Sequence, residues 1–327
     1  MFDIVSIGSA TRDVFMQSQG LKRIKDHNFA TGQAECVGLG SKIEVSKVVF
    51  TSGGGGTNAG VTFSRQGLKT ACIGAVADDL NGREIMEELN KEGIDTSFFQ
   101  VHKDGDSTAY SVILVDENGE RSILSYKGEG QKFDVKLVPY EKIQTKWMFL
   151  DSLGGHYDLL EKSVMWAVEN GVKLATNPGG KELEHGLEKL KPLFKHFSII
   201  SMNQEEAAGL TGIQYDKEIE IFKFMDSIID GIFVMSKGPD GVVVSDGKNL
   251  YRAGVPDSPV IERTGAGDAF ASGFIVEYIR SGNVEKSIQF ATANASSVVT
   301  QFGAKAGILK NNDLGPWPLV SVSMESL

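Results

Sequence analysis

Short apolar runs alternate with longer amphipathic stretches along most of the chain. Residues 3–7, 70–76 and 147–150 are compact and mostly apolar, which is typical of buried strands. The stretches between such runs carry apolar residues at helical spacing, and several of them end at glycine. Strands that alternate with helices predict a mostly parallel sheet covered by helices on both faces. The expected helices lie at about residues 57–66, 80–90, 159–169, 182–190, 205–210, 217–229, 266–280 and 284–301.

The alternation is interrupted once, by two β-type runs at 108–115 and 121–126 that have no helix between them. They are joined by Asp116-Glu117-Asn118-Gly119, in which Asn-Gly is a strong signal for a hairpin turn. We therefore expect a small β sheet appended to the large one, and the last dozen residues to fray. The predicted lid comprises residues 14–49 and 108–126, and the large domain comprises residues 1–13, 50–107 and 127–327.

Composition narrows the possible partners. The net charge of −10 argues against nucleic acid and anionic membranes, since both are negatively charged. No apolar stretch approaches 18 residues, and the first residues lack a leader pattern. The two cysteines have no framework or metal spacing, so we expect free thiols in a cytoplasmic protein. The 38 glycines predict many tight turns and backbone that approaches a ligand closely.

The strongest candidate for chemistry is the run Gly265-Ala266-Gly267-Asp268, which opens an apolar helix. Small residues leave backbone N–H groups bare, and such groups at a helix N-terminus can hold an anion, including a phosphoryl group in transfer. Asp268 beside them could take the proton of an attacking hydroxyl. We expect the helix dipole to favour its ionised form and a low pKa. A structural interpretation stays open here, in which Asp268 caps the helix and the small residues permit close packing.

This run resembles the Gly-Ala-Gly-Asp motif of the ribokinase-like (PfkB) carbohydrate kinases. The resemblance extends over about residues 4–307, with further motifs in the family's order. It implies a ribokinase-like α/β/α sandwich with a mostly parallel central sheet and a small β-sheet lid. It also implies an ATP-dependent kinase that uses Mg²⁺, with Asp268 as catalytic base and the amides of Gly265, Ala266 and Gly267 as phosphoryl-binding donors.

Two segments resemble the family's substrate motifs. The run 8–13 ends a buried strand with a loop and matches the segment that carries the substrate aspartate, here Asp13. The run 52–60 matches the Gly-rich segment, which implies substrate contacts at Gly54 and Asn58. Ribokinases proper often carry lysine at the third glycine position, where this chain has Gly55. Taken alone, the first segment is readable as an exposed loop aspartate. The second is readable as a flexible loop, although four successive glycines before a helix carry an entropy cost that argues against this.

Three further segments imply the nucleotide and metal contacts. Asn203-Gln204-Glu205-Glu206 resembles the family's Asn-x-x-Glu motif, with Glu206 holding Mg²⁺ through water. An N-cap with an acidic first turn is the alternative. The run 236–241 resembles the nucleotide-binding turn and follows an apolar strand, at the sheet edge where open α/β sheets bind ligands. The implied nucleotide-binding residues are Asn203, Ser236, Lys237, Gly238, Gly241 and, on the last helix, Asn294.

One departure from the family concerns Glu262-Arg263-Thr264, where many members carry Asp-Thr-Thr. The aspartate position belongs to a monovalent-cation loop in K⁺-dependent members, so this departure leaves K⁺ activation open. Arg263 is readable either as a contact to a charged group on the substrate or triphosphate, or as a surface charge.

The phosphate acceptor stays open. A sugar of the fructose, ribose or 2-keto-3-deoxygluconate type is the first choice, a nucleoside the second and a sugar phosphate the third. A non-catalytic sugar or nucleotide sensor on the same fold is the rival from another class, and a dehydrogenase is more distant because no dinucleotide fingerprint is present. Exposed β edges on the lid suggest a homodimer through the lids.

Overall fold

The computed structural model describes residues 1–29, 32–116 and 121–327. In chain order the strands are β1 (Phe2–Ile7), β2 (Thr11–Gln17), β3 (Lys22–Lys25), β4 (Gln33–Cys36), β5 (Lys47–Gly53), β6 (Thr70–Ile73), β7 (Ala75–Ala77), β8 (Gln100–His102), β9 (Tyr110–Val115), β10 (Arg121–Tyr126), β11 (Thr145–Leu150), β12 (Lys173–Thr176), β13 (Phe197–Asn203), β14 (Ile232–Ser236), β15 (Val242–Ser245), β16 (Asn249–Ala253) and β17 (Ser323–Ser326). The α-helices are α1 (Gly55–Arg65), α2 (Leu80–Lys91), α3 (Tyr157–Glu169), α4 (Gly180–Leu183), α5 (Leu187–Phe194), α6 (Gln204–Thr211), α7 (Glu218–Asp226), α8 (Ala266–Ser281) and α9 (Val284–Val298).

The large sheet has the strand order β17-β16-β15-β14-β13-β12-β11-β1-β6. The six strands from β14 to β6 run parallel, and β15, β16 and β17 are added antiparallel at one edge. Neighbouring residues on one strand face opposite ways, so Val5 joins the apolar core with α3, α5 and α7 while Ile4 joins the core with α1, α8 and α9. This confirms the predicted parallel sheet with helices on both faces.

A separate four-stranded sheet, in the order β10-β9-β2-β5, is called the small sheet below. Strands β9 and β10 form the predicted antiparallel hairpin, with Val115 opposite Arg121. The predicted turn residues Glu117, Asn118 and Gly119 lie outside the described residues. One face of the small sheet packs through Phe15 and its neighbours against Phe302 of the large domain.

Local structure differs from the prediction in three places. Asp13 lies in strand β2 rather than in a loop, because its backbone pairs with Thr51 and Ser111. The helix predicted at 182–190 is two short helices, which separate at Gly186 with its φ of 81°. The C-terminal residues include strand β17, which pairs with β16. Within the described ranges, no helix is long and apolar enough to cross a membrane.

Candidate active site

The carboxyl ends of several parallel strands meet at one edge of the large sheet. Strand β1 ends before Gly8, β11 ends before Asp151, and β13 and β14 end at Asn203 and Ser236. Open parallel sheets bind ligands at this edge, because the loops leaving the strands diverge there. Five predicted nucleotide-binding residues lie at these strand ends or in the loop after β14, and Asp13 lies in the small sheet beside them.

The Gly-rich segment brings two carboxyl groups against the backbone. A Cβ atom at Gly53 would lie 1.9 Å from Asp13 Oδ2, and one at Gly55 would lie 1.8 Å from Asp151 Oδ1. Real Cβ atoms do not come so close to another atom. The two glycines therefore make room for Asp13 and Asp151 beside the N-terminus of helix α1.

Asp13 is almost completely buried at the start of the small sheet. Thr11 Oγ1 donates a hydrogen bond to Asp13 Oδ1 at 2.9 Å. Burial raises the pKa of Asp13, while the hydrogen bonds from Thr11 and Ser111 and the charge of Lys305 act in the opposite direction. The result is a carboxyl group held in a fixed position by the strand that carries it.

Asp268 is in direct contact with helix α1. Asn58 Nδ2 donates a hydrogen bond to Asp268 Oδ2 at 2.7 Å, which joins helices α1 and α8. Burial raises the pKa of Asp268, and the negative charge of Asp13 adds to this, while Asn58 and the charge of Lys305 lower it. The expectation of a low pKa was therefore wrong, because burial outweighs the hydrogen bond from Asn58 and the charge of Lys305. A raised pKa makes Asp268 a stronger base.

The turn before helix α8 leaves backbone donors available. Gly265 has a φ of 79°, which favours glycine, and it stands directly before the helix. No acceptor among the described residues pairs with the amides of Gly267 and Asp268, as expected in the first turn of a helix. The amide of Ala266 makes only a long bond, 3.3 Å, to the carbonyl of Arg263. The turn can therefore bind an anion.

A cavity of about 580 Å³ begins at this turn and extends to the loop after strand β14. Ala266 and Gly267 line one end of it, and Arg263 contributes to the same wall. Apolar side chains such as Val260, Phe270 and Val299 line much of the remainder. Three of the predicted nucleotide-binding residues line the cavity: Ser236, Gly238 and Gly241.

Two predicted nucleotide contacts lie elsewhere. Lys237 Nζ donates to Glu218 Oε2 at 2.8 Å, and Lys237 does not line this cavity. Asn294 is fully buried, and its side chain donates to the carbonyl of Ala269 at 2.8 Å and accepts from the amide of Leu309 at 2.9 Å. Because both ends of the Asn294 amide are occupied, this residue joins α8 and α9 instead of facing a ligand.

Asn203 and Glu206 form a reciprocal capping box at the start of helix α6. Asn203 Oδ1 accepts from the amide of Glu206, and Glu206 Oε2 accepts from the amide of Asn203, each at 2.8 Å. For the contacts within the chain, the alternative interpretation of Asn203 and Glu206 as a helix cap is therefore correct. Burial raises the pKa of Glu206.

The donor set suits a magnesium ion carried mainly by its nucleotide. No group of three or more His, Cys, Asp or Glu side chains in the described ranges could hold a metal by itself. Mg²⁺ usually keeps several waters and uses one or two carboxylates together with substrate phosphates. Glu206, in the first turn of helix α6, is compatible with that limited contribution.

Sequence reasoning missed two buried charged groups. Asp151 is 4% exposed, its Oδ2 has no hydrogen-bond partner among the described residues, and burial together with the charge of Asp268 raises its pKa well above the usual range. Asp151 directly follows a predicted strand, and this position could have identified it from the sequence as a candidate site residue. Lys305 is 3% exposed and donates to the hydroxyls of Ser52 and Thr57. No sequence pattern pointed to Lys305.

The fold, with its mostly parallel sheet and its separate small sheet, is that of a class of small-molecule kinases. Residues 1–311 match the family model described as pfkB family carbohydrate kinase. The chain belongs to this family and is an ATP-dependent carbohydrate kinase.

Individual relatives agree with the family. The chain is 28% identical to a ribokinase of Haemophilus influenzae, over 78% of this chain and 83% of that protein. It is 25% identical to a nucleoside kinase of Methanothermobacter thermautotrophicus, over 78% and 81%. The solved structure of Arabidopsis thaliana ribokinase complexed with ribose and ATP superposes with a TM-score of 0.75 at 18% identity, over 96% of this chain and 97% of that one. That likeness confirms the ribokinase-like fold.

Proposed function

We propose that the protein transfers the γ-phosphoryl group of ATP to a hydroxyl of a small neutral sugar, with Asp268 as the catalytic base. The observation that carries this proposal is the position of Asp268, between Asn58 on the substrate side and the bare amides of the Gly265–Gly267 turn. A base and an anion-binding turn on the same helix end are what an in-line transfer to an alcohol requires.

The acceptor would bind between the small sheet and the Gly-rich segment. Oδ1 of Asn58 and Oδ2 of Asp151 have no hydrogen-bond partner among the described residues. Together with Asp13 they are hydrogen-bond acceptors, and sugar hydroxyls are donors. The backbone of Gly54 would contact the acceptor at the same position. A buried acceptor without a partner is costly, so a ligand that supplies the missing donors gains affinity.

In the reaction, the acceptor oxygen forms a bond to the γ-phosphorus as the bond from phosphorus to the bridging oxygen of ADP breaks. Asp268 accepts the hydroxyl proton. The amides of the Gly265–Gly267 turn and of Asp268 donate to the oxygens of the group in transfer, where charge is held in the transition state. Glu206 would hold Mg²⁺ through water, and the ion would neutralise part of the charge of the phosphates. The small sheet would exclude water, a competing acceptor.

The charge of the site favours a neutral acceptor. Asp13, Asp151 and Asp268 lie together, and their mutual repulsion helps to raise the pKa of Asp151 and Asp268. The nearby Lys305 ammonium already donates to Ser52 and Thr57. An acceptor with its own carboxylate or phosphate would add a further negative charge. We therefore place neutral sugars ahead of sugar acids and sugar phosphates; a nucleoside, also neutral and rich in hydroxyls, is the second candidate.

The experiment is an ADP-release assay with neutral pentoses and hexoses, nucleosides, sugar acids and sugar phosphates, with phosphorylated product measured in parallel. We expect turnover of a neutral acceptor. Preferred turnover of a sugar acid or sugar phosphate would contradict the charge argument. Ligand binding without phosphate transfer across the whole panel would favour the sensor instead.

Asp151 has a separate test. Asp151→Asn keeps the shape of the side chain but changes the acceptor properties of its free oxygen. We expect KM for the acceptor to rise at least about tenfold, the loss of one buried hydrogen bond to a ligand, with a smaller effect on kcat and none on KM for ATP. An unchanged KM for the acceptor would remove Asp151 from the substrate site.

We also propose a homodimer through the small sheet. Phe50 and Leu124, on its two edge strands, are 61% and 62% exposed; between them in the same row, Val112 is partly exposed and Val14 is buried. Light scattering should give twice the chain mass, and Phe50→Asp should give a monomer. Met165→Asp, at an exposed apolar position on α3, is the control and should stay dimeric.

A further inference from the structure

Glu262 is a fully buried carboxylate in the loop that leads into the anion-binding turn. Its Oε1 accepts from the amide of Thr264 at 2.6 Å and from the Thr264 hydroxyl. Its backbone amide donates to the carbonyl of Val299, which fixes the loop against the end of α9. Gly265 follows Thr264 directly, so the conformation that Glu262 imposes is passed to the bare amides of the turn.

A buried carboxylate in this position needs a positive partner, and it comes from the small sheet. Arg121, the first residue of β10, has its Nε 3.3 Å from Glu262 Oε1, and its side chain is 29% exposed. Arg263, adjacent to Glu262 in sequence, instead lines the nucleotide cavity. Arg121 is therefore the partner, among the described residues, that lies within ion-pair distance of Glu262.

The contact connects two parts of the chain that are far apart in sequence. Neither Arg121 Nε nor Glu262 Oε2 has a hydrogen-bond partner among the described residues. The distance from Arg121 Nε to Glu262 Oε1 is longer than that of an ideal charged hydrogen bond. Within the described residues, Arg121 Nε can therefore still donate a hydrogen bond and Glu262 Oε2 can still accept one. A small approach of the small sheet toward the loop would let these atoms bond.

We propose that Arg121 supplies the positive charge that the Glu262–Gly265 loop requires, and that it holds the anion-binding turn in its productive form when the small sheet covers the site. Arg121 is a positioning residue, since it acts on the phosphoryl group through Glu262, Thr264 and the turn. The inference rests on the proposed phosphoryl transfer, because the turn matters only if it binds a phosphoryl group.

This arrangement does not fit a monovalent-cation requirement. The loop at 262–264 is where the family resemblance would put a K⁺-activated segment, yet here the Glu262 carboxylate already has a guanidinium beside it. Removing one partner of a buried pair leaves an uncompensated charge, which is strongly destabilising. Without Arg121, the site should therefore take up a small cation from solution.

The experiment compares the wild type with Arg121→Ala in potassium chloride and in tetramethylammonium chloride at equal ionic strength, the latter cation being too large for the site. For the wild type we expect kcat and Tm to be the same in both salts, within about twofold for kcat. For Arg121→Ala we expect kcat in tetramethylammonium to fall at least about tenfold, because misplaced groups slow transfer. Potassium chloride should restore part of kcat and raise Tm.

Two controls separate this role from general damage to the small sheet. Arg23→Ala removes an arginine that pairs with Asp116 and should show no cation dependence. Arg121→Ala combined with Glu262→Gln removes both charges and should abolish the potassium-dependent change in Tm.

Strong potassium activation of the wild type would overturn the proposal. So would an Arg121→Ala variant with wild-type kcat in tetramethylammonium, or one whose kcat falls with no response of kcat or Tm to any cation. If the wild type transferred no phosphate at all, the proposed function would fail, while the Tm comparison would still decide whether Arg121 replaces a cation.

Discussion

The molecule has two glycine-rich turns before helices, and they use glycine for opposite reasons. In the segment 53–56, a Cβ atom at any of the four glycines would lie less than 3 Å from another part of the chain. In the turn before α8, Gly265 packs on Ala304, but no atom of the described part of the chain outside this helix lies within 4 Å of a Cβ at Gly267. The first segment is filled by the protein itself, and the second is open toward the cavity of about 580 Å³.

The two glycine-rich segments therefore have similar composition but different tasks. The first segment positions Asp13 and Asp151 by letting their carboxyl groups touch the backbone. The second presents amides to a ligand. Substitutions in the first segment should therefore damage folding, whereas substitutions in the second should damage catalysis.

Gly54→Ala should have the largest effect on stability. Gly54 has a φ of 95°, and its Cβ would lie 2.3 Å from the carbonyl oxygen of Ser9. Backbone strain and the clash together should lower the free energy of unfolding by about 3 kcal/mol or more. Denaturant unfolding would measure this, and a loss below about 1 kcal/mol would mean that the segment is not tightly packed.

The stability of the region around the first segment should depend on pH, because the buried ammonium group of Lys305 donates hydrogen bonds to Ser52 and Thr57 beside that segment. Burial lowers the pKa of Lys305 from 10.5 to about 8. The folded protein therefore binds fewer protons than the unfolded chain between these values, and its stability should rise with pH through that window. Relative to Lys305→Met, the wild type should gain on the order of 2 kcal/mol between pH 8 and pH 10. Parallel stability curves for the two proteins would contradict the burial of this charge.

Gly267→Ala should have the smallest effect on stability. Alanine is the better helix former by up to about 1 kcal/mol, and no neighbour obstructs the methyl group. Turnover should nevertheless fall, because the methyl group would stand in the cavity where the phosphoryl group approaches the amides. Tm and kcat measured on the same preparation would test this, and unchanged kcat would place the transferred group elsewhere.

The sequence alone was sufficient to predict the features that depend on a local pattern of residues. The alternation of strands and helices predicted the parallel sheet, and the small residues at 265–267 predicted the bare amides. Contacts between distant segments were not predictable in the same way. The bond between Asn58 and Asp268, the pair of Arg121 with Glu262, and the two internal bonds of Asn294 each depend on packing. The pKa of Asp268 was misjudged for that reason, because burial is a property of the assembled fold.

The most direct test of the central claim is kcat for Asp268→Asn at saturating ATP and acceptor. The substitution keeps the size of the side chain and removes the proton acceptor. We predict that kcat falls at least about 100-fold, while the affinity for ATP and the Tm stay close to those of the wild type. A kcat near the wild-type value in a folded Asp268→Asn protein would show that another group takes the proton.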